Sequence, residues 1–256
     1  MPLPLDEYLA FALQVALDAG RVVMDHYQTG VAVELKADQS PVTMADRGAE
    51  QRIRSAIATR YPDHAVVGEE YGADGRPSAF RWIVDPIDGT KSFIRGVPLF
   101  GVLVALEIDG RPEVGVCHMP ALNETVAAAT GLGCTWNGQT ARVSQVNRLD
   151  EATLLFSDGR MLAGRLDCKW PDLSASVGLL RSWGDCYGHC LVATGRADIM
   201  IDPVMNPWDC AALLPIVSEA GGSFTDWAGE ARIDGGDAVS TNTRLHEAVL
   251  AHLSGR

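Results

Sequence analysis

Trp82-Ile83-Val84-Asp85-Pro86-Ile87-Asp88-Gly89-Thr90 sets two carboxylates, three residues apart, at the end of an apolar run. The apolar residues before Asp85 read as a buried strand, and Gly89-Thr90-Lys91-Ser92 reads as a helix start with free amides. Pro86 fixes its backbone and removes a donor, so a turn there can aim both acids and the Ile87 carbonyl at one point. A plain turn accounts for the glycine and the proline. It does not account for two acids behind a buried strand.

Two further stretches repeat the pattern. Gly68-Glu69-Glu70 follows the apolar Ala65-Val66-Val67, and Trp208-Asp209 opens a helix running through Ala211, Leu213 and Ile216. Acids at strand ends and helix starts are held rigidly and can converge on one cavity. Such a cluster of hard oxygens repels itself unless a hard cation sits in it, and Mg²⁺ is the usual occupant. Helix-start amides beside it suit a phosphate oxygen. The pattern points to metal-assisted phosphoryl transfer to water. Each piece also has a purely structural reading. Thr43-x-x-Asp46 fits a capping box, Asp209 a charge complementing a helix dipole, and Glu69 and Glu70 solvated loop charges. The combination carries the argument.

Around these stretches the chain alternates helices and hairpins. Asp6 to Tyr27 has apolar residues at helical spacing, and Thr43 opens a second helix with the stripe Ala45, Ala49, Ile53, Ala56, Ile57, ended by Tyr61-Pro62. A strand over Val31 to Lys36 leads to the turn Asp38-Gln39-Ser40-Pro41. Leu99 to Ile108 and Glu113 to Met119 flank the turn Asp109-Gly110-Arg111-Pro112, and Leu122 to Thr130 reads as another strand. Later come a helix from Asp185 to Thr194, a strand Ala197 to Asp202, a helix Trp208 to Ala220, a strand Ser223 to Trp227 and a helix Thr243 to Leu253. Pro215 is expected to remove one bond and kink its helix. The alternation predicts a layered, mixed α/β architecture rather than a pure parallel sheet, with a subdomain boundary near 140 to 155.

Composition excludes several classes. The chain has 256 residues, 33 Asp plus Glu against 21 Lys plus Arg, a net charge of -12 and 47% hydrophobic residues. That apolar content argues against disorder, and the acidic balance argues against nucleic acid as a partner. No apolar stretch approaches the ~20 residues of a membrane span, and Met1 to Glu7 lacks a signal-peptide pattern, so no membrane partner and a cytoplasmic location are expected. Six cysteines (117, 134, 168, 186, 190, 210) show no CxxC pair and are expected to be half-buried reduced thiols. The six histidines share no spacing that suggests a metal site, and His189 is expected to be a core or surface residue.

Gly68-Glu69-Glu70, Trp82 to Thr90, and Trp208-Asp209 running into Glu219-Ala220-Gly221-Gly222 together resemble the inositol monophosphatase superfamily of Mg²⁺-dependent phosphatases, in its order and spacing. The resemblance covers nearly the whole chain. It implies a layered αβαβα sandwich, often a homodimer, with two to three Mg²⁺ ions. It implies an N-terminal α+β subdomain, 1–145, that carries most metal ligands, and a C-terminal α/β subdomain, 146–256, that closes the site. Glu69, Asp85 and the Ile87 carbonyl would bind one Mg²⁺, Asp85, Asp88 and Asp209 a second, and Glu69 a looser third. Asp46, Thr90 and Glu69 would orient or deprotonate the attacking water, and the Gly89 and Thr90 amides would take phosphate oxygens.

Ile94-Arg95-Gly96-Val97-Pro98, Gly184-Asp185-Cys186-Tyr187 and Asn206-Pro207-Trp208-Asp209 look like the histidinol-phosphate phosphatase branch. Histidinol phosphate carries an ammonium and an imidazole, so its pocket needs carboxylates, and Asp185 and Asp202 are the candidates. The branch tends to carry Glu near the Asp202 position, which is one methylene longer. The expected partner is therefore a small phosphate monoester. The alternatives are an inositol-1-phosphatase or broad sugar-phosphate phosphatase, which would want neutral polyol contacts, and a catalytically silent metal- or phosphate-binding regulator. The intact acids at positions 46, 69, 85, 88 and 209 count against the last.

Overall fold

The computed structural model describes residues 3–37, 40–165 and 168–253. Two helices come first, α1 (Leu5–Met24) and α2 (Met44–Arg60), with the short pair β1 (Glu34–Leu35) and β2 (Pro41–Val42) between them. Asp38 and Gln39 of the expected turn lie outside the described residues. An eight-stranded sheet follows: β3 (Ala65–Gly68), β4 (Gly72–Ala73), β5 (Phe80–Asp88), β6 (Gly101–Ile108), β7 (Arg111–Met119), β8 (Glu124–Ala129), β9 (Gly133–Trp136) and β10 (Gln139–Thr140). The helix α3 (Thr90–Phe93) leaves β5 directly.

The second half holds a five-stranded sheet: β11 (Thr153–Phe156), β12 (Leu179–Arg181), β13 (Ile199–Asp202), β14 (Ser223–Thr225) and β15 (Ala238–Thr241). Its helices are α4 (Gly159–Gly164), α5 (Trp170–Ser176), α6 (Asp185–Ala193), α7 (Pro207–Cys210), α8 (Leu213–Glu219) and α9 (His246–Leu253).

Strand alternation fixes the layers, because successive side chains face opposite sides of a sheet. On β6, Val102, Val104 and Leu106 pack with α1 and α2, whereas Leu103 and Ala105 face α6 and α8. On β13, Met200 faces that same middle helix layer, and Ile199 and Ile201 face Leu173 of α5 and Val249 of α9. The order is helices, large sheet, helices, small sheet, helices, a layered αβαβα sandwich. The middle core joins residues from before 140 to residues after 155.

Several local expectations change, among them the strand from Val31, which is only Glu34–Leu35, and the helix from Thr243, which begins at His246. The hairpin turn is only Asp109-Gly110, since Ile108 pairs with Arg111, and Arg111-Pro112 belong to β7. The helix expected over Trp208 to Ala220 is broken at Ala211-Ala212 into α7 and α8. Pro215 is the cause: it has no N–H for the Ala211 carbonyl one turn earlier. The cysteines are more buried than expected; all but Cys168 are buried, and those five are free thiols.

Candidate active site

Two of the parallel strand pairs, β3 with β5 and β11 with β13, run toward acids the sequence singled out, Glu69, Asp88 and Asp202. Carboxyl ends of parallel strands are where open α/β sheets place their ligands. β3 runs into Glu69, whose amide bonds to the Val84 carbonyl at 3.3 Å and so sits beside Asp85. β13 ends at Asp202, and β11 runs into Ser157.

Asp85 and Asp88 need a special device to act together. In a regular strand, residues three apart face opposite sides. Here Asp85 pairs with Leu103 but Asp88 with Gly101, so β5 carries one extra residue against β6. This bulge at Pro86-Ile87 turns Asp88 to the same side as Asp85, toward α6 and α7. Pro86 suits the bulge because it lacks a ladder donor. Asp85 then accepts the Ile87 amide at 2.9 Å. Gly89 follows with φ 84°, and a Cβ there would meet the Leu99 carbonyl oxygen at 2.9 Å, so only glycine fits.

Asp209 joins them from α7. It is the third residue of that helix, and its Oδ2 accepts the Asn206 amide at 2.7 Å. One oxygen from each of Asp85, Asp88 and Asp209 lies within 4.8 Å of the others. Asp85 is buried, and Asp88 and Asp209 are half-buried. Burial, and then the charges of Glu69, Asp88 and Asp209, hold the Asp85 carboxyl well above its usual range. Burial, and then Asp185 and Asp209, do the same for Asp88, and burial raises Asp209 to about 7. Acids crowded this closely need shared protons or a cation.

Lys36 shows where a cation goes. Its ammonium donates to Glu69 at 2.7 Å and to Glu70 at 2.6 Å. Burial works against the Lys36 ammonium, yet these bonds outweigh it and raise its pKa. Burial, with Glu69 close by, raises Glu70 to about 7 even with Lys36 beside it. The donor set is all hard oxygen, the choice of Mg²⁺ rather than of a softer ion. The residues fit that ion.

Asp46 is the capping-box acid of α2 and also a neighbour of Thr90. Its Oδ2 accepts the Thr43 amide at 2.7 Å and the Thr43 hydroxyl at 2.6 Å, the capping box of α2. Its Oδ1 faces the Thr90 hydroxyl at 3.4 Å, while that hydroxyl donates to the Ile87 carbonyl at 2.9 Å. The fold therefore brings Asp46, Thr90 and Ile87 into one contact chain. Gly89 and Thr90 stand at the start of α3, before any intrahelical bond engages their amides.

Asp185 and Asp202 line one cavity of about 540 Å³ with Lys91, Ser157, Met161 and Asn206. Asp185 starts α6 with φ 55°, and Gly184 rather than Asp185 is the N-cap. The next amide, Cys186 N–H, donates to Asp88, which ties this cavity to the carboxylate cluster. Burial, and then Asp202, raise Asp185 to about 7. Asp202 is buried and accepts the Ser157 hydroxyl. A larger cavity of about 770 Å³ begins at Trp208 but holds none of these acids, and its Arg81 and Arg232 are paired with Glu107 and Asp234. Of the two, only the smaller is lined by Asp185 and Asp202.

Glu50 escaped the sequence reading. It is fully buried, and its carboxylate accepts the Glu70 amide at 2.7 Å, the Tyr71 amide at 3.3 Å and Arg54 at 2.7 Å. A Cβ at Gly68 would overlap that carboxylate, so the glycine before Glu69 makes room for it. The signal was present: Asp46, Glu50, Ile53 and Ile57 share one helical face. Lys36 and Ser157 gave no comparable signal.

Residues 4–255 match the Inositol monophosphatase family. A histidinol-phosphatase of Chlorobaculum parvum is 43% identical over 246 residues, 95% of each chain. A histidinol-phosphatase of Mycobacterium tuberculosis is 42% identical over 229 residues, 87% of this chain and 88% of that one. Among solved structures, the Thermotoga maritima IMPase superposes with a TM-score of 0.89 at 31% identity, covering 96% of each chain. With the bulged acid pair, the carboxylate cluster and the five layers, these matches leave one assignment: the chain belongs to the inositol monophosphatase family.

Proposed function

We propose that this chain, a phosphoric monoester hydrolase of its family, hydrolyses L-histidinol phosphate to L-histidinol and phosphate. The observation that carries the reading is the pair Asp185 and Asp202 in one cavity joined to Asp88 through the Cys186 amide. A substrate with an ammonium and an imidazole needs acceptor-only groups at its organic end and finds two there. The identity to histidinol-phosphatases over nearly the whole chain supports the same choice.

Glu69, Asp85 and the Ile87 carbonyl would hold one Mg²⁺, Asp85, Asp88 and Asp209 a second, and Glu69 a third more loosely. When bound, these ions supply Lewis acidity at phosphorus and lower the pKa of water. The chain's own groups set the geometry. Lys36 holds one oxygen of Glu69, which leaves the other for the ligand set. Asp46 and Thr90 hold the attacking water, with Asp46 oriented by its own helix cap. Burial raises the Asp46 pKa, so its carboxyl can hold a proton passed through Thr90. The Gly89 and Thr90 amides receive phosphate oxygens, and Asp185 and Asp202 fix the cationic end of the alcohol.

The test is phosphate release from L-histidinol phosphate, inositol 1-phosphate and glycerol 2-phosphate, with and without Mg²⁺. Histidinol phosphate is expected to be preferred by about 10²-fold in kcat/KM, the size of two charge-assisted contacts. Faster hydrolysis of inositol 1-phosphate would replace this substrate with a polyol phosphate.

A further inference from the structure

His189 has no part in the chemistry above, yet it lies directly under the cavity. It sits one helical turn after Asp185 on α6 and is 0% exposed. Its Nδ1 is 2.7 Å from the Ser240 hydroxyl of β15. Its Nε2 is 3.6 Å from Asp202 Oδ2 and has no hydrogen-bond partner among the described residues. The other oxygen of Asp202 accepts the Ser157 hydroxyl. Asp202 thus lies between the residue after β11, which bonds to it, and the ring of α6, which approaches it.

Packing alone does not explain a histidine here. Its ring does touch Phe224 at a centroid distance of 5.6 Å. A leucine or phenylalanine would fill that space without leaving a buried nitrogen unpaired. A carboxylate can only accept, so a neutral ring turns its Nε2–H toward Asp202 and accepts the Ser240 hydroxyl hydrogen bond at Nδ1. At 3.6 Å the Nε2 contact is just outside hydrogen-bond range, and a small rotation of the carboxylate closes it.

We infer that His189 is a positioning residue that aims Asp202, so that Asp202 and Asp185 meet the cationic end of the substrate as a matched pair. α6 then does two jobs, carrying Asp185 at its first residue and the support for Asp202 one turn later. This inference rests on the proposed cation-binding role of the two acids and goes beyond it by naming what sets their geometry.

The experiment compares His189→Asn, His189→Gln and Asp202→Asn, with L-histidinol phosphate and glycerol 2-phosphate as substrates and Mg²⁺ present. The Asn nitrogen falls near the Nδ1 position and loses the contact to Asp202. The Gln nitrogen falls near Nε2 and keeps it. His189→Asn is expected to raise the KM for histidinol phosphate about tenfold with little change in kcat, lowering the histidinol/glycerol ratio of kcat/KM equally. His189→Gln is expected to recover most of that ratio. Equal effects on both substrates, or no difference between Asn and Gln, would overturn the inference. Should both variants fail to fold, ¹⁵N NMR of the wild-type imidazole decides: the Nε2–H tautomer supports the role and the Nδ1–H tautomer refutes it. Asp202→Asn separates the two claims. If it leaves the histidinol phosphate KM unchanged, the cation-binding reading itself fails. If it raises that KM while His189→Asn does not, only the role of His189 fails.

Discussion

Glu50 of α2 accepts the backbone amide of Glu70 at 2.7 Å, so a carboxylate buried under the first helix layer fixes the loop that presents Glu69. The same side chain accepts the Tyr71 amide and Arg54. Glu50→Ala would leave two amides and a guanidinium without their acceptor. A loss of about 3 kcal/mol of stability is expected in urea unfolding. The Mg²⁺ concentration for half-maximal activity should rise with it. An unchanged Mg²⁺ requirement would mean that Glu50 stabilises the fold without setting Glu69.

Without metal, the acid cluster should make stability fall as pH rises. Asp185 and Asp209 are raised to about 7 from an ordinary 3.8, chiefly by burial. A carboxyl raised in the folded state keeps its proton there, so its stabilising contribution is complete below the unfolded value and is lost as pH climbs through the folded one. The window is therefore about pH 4 to 7, with a slope of at most about 1.4 kcal/mol per pH unit for each group. Thermal melts of EDTA-treated protein should show Tm decreasing across that window, and saturating Mg²⁺ should flatten the trend. A metal-free Tm that increases from about pH 5 to 7 would contradict the assigned shifts.

Asp88→Asn keeps the shape of the side chain and can still accept the Cys186 amide, so the fold should survive. It removes one charge from a cluster that repels itself, and metal-free stability should hold or improve. Turnover should nevertheless drop by about 10³-fold, because a shared ligand is gone. Near-normal phosphate release from this variant would rule out the proposed ligand set.

Gly89 stands between the acid pair and α3 with φ 84°. Gly89→Ala forces a side chain into left-handed backbone and against the Leu99 carbonyl. The cost is about 1–3 kcal/mol, with displacement of the Thr90 hydroxyl from Asp46. Circular-dichroism melts and kcat should fall together. A variant with wild-type Tm and kcat would show that the turn tolerates a Cβ.

Legibility followed the range of each contact. Asp46 was readable because it sits three residues after its helix N-cap, and Asp209 because an acid in a first helical turn complements the dipole. The structural reading and the proposed functional one are compatible, since the oxygen not used by the cap of α2 faces Thr90. The strand ending in Asp85 was readable from its apolar run. The bulge was not, because register is a property of β5 against β6. Glu50 stood out only in the fold, where Gly68 packs against it and the Glu70 amide reaches it. The helix over Trp208 to Ala220 was drawn too long because apolar periodicity passes through Pro215 while the backbone bond it needs does not.

The sequence alone determined the ingredients. The acids behind apolar runs, the caps, the glycine at 89 and the proline at 86 are local, and local sterics and hydrogen bonds are written in neighbouring residues. Only the tertiary structure decided which ingredients meet. It set the bulge that turns Asp88 beside Asp85, carried Asp209 to them from more than 100 residues away, and placed Asp202 between Ser157 and His189. Those pairings depend on how two sheets stack around α6. That stacking is a property of buried faces meeting each other, and no stretch of sequence holds both sides of such a contact.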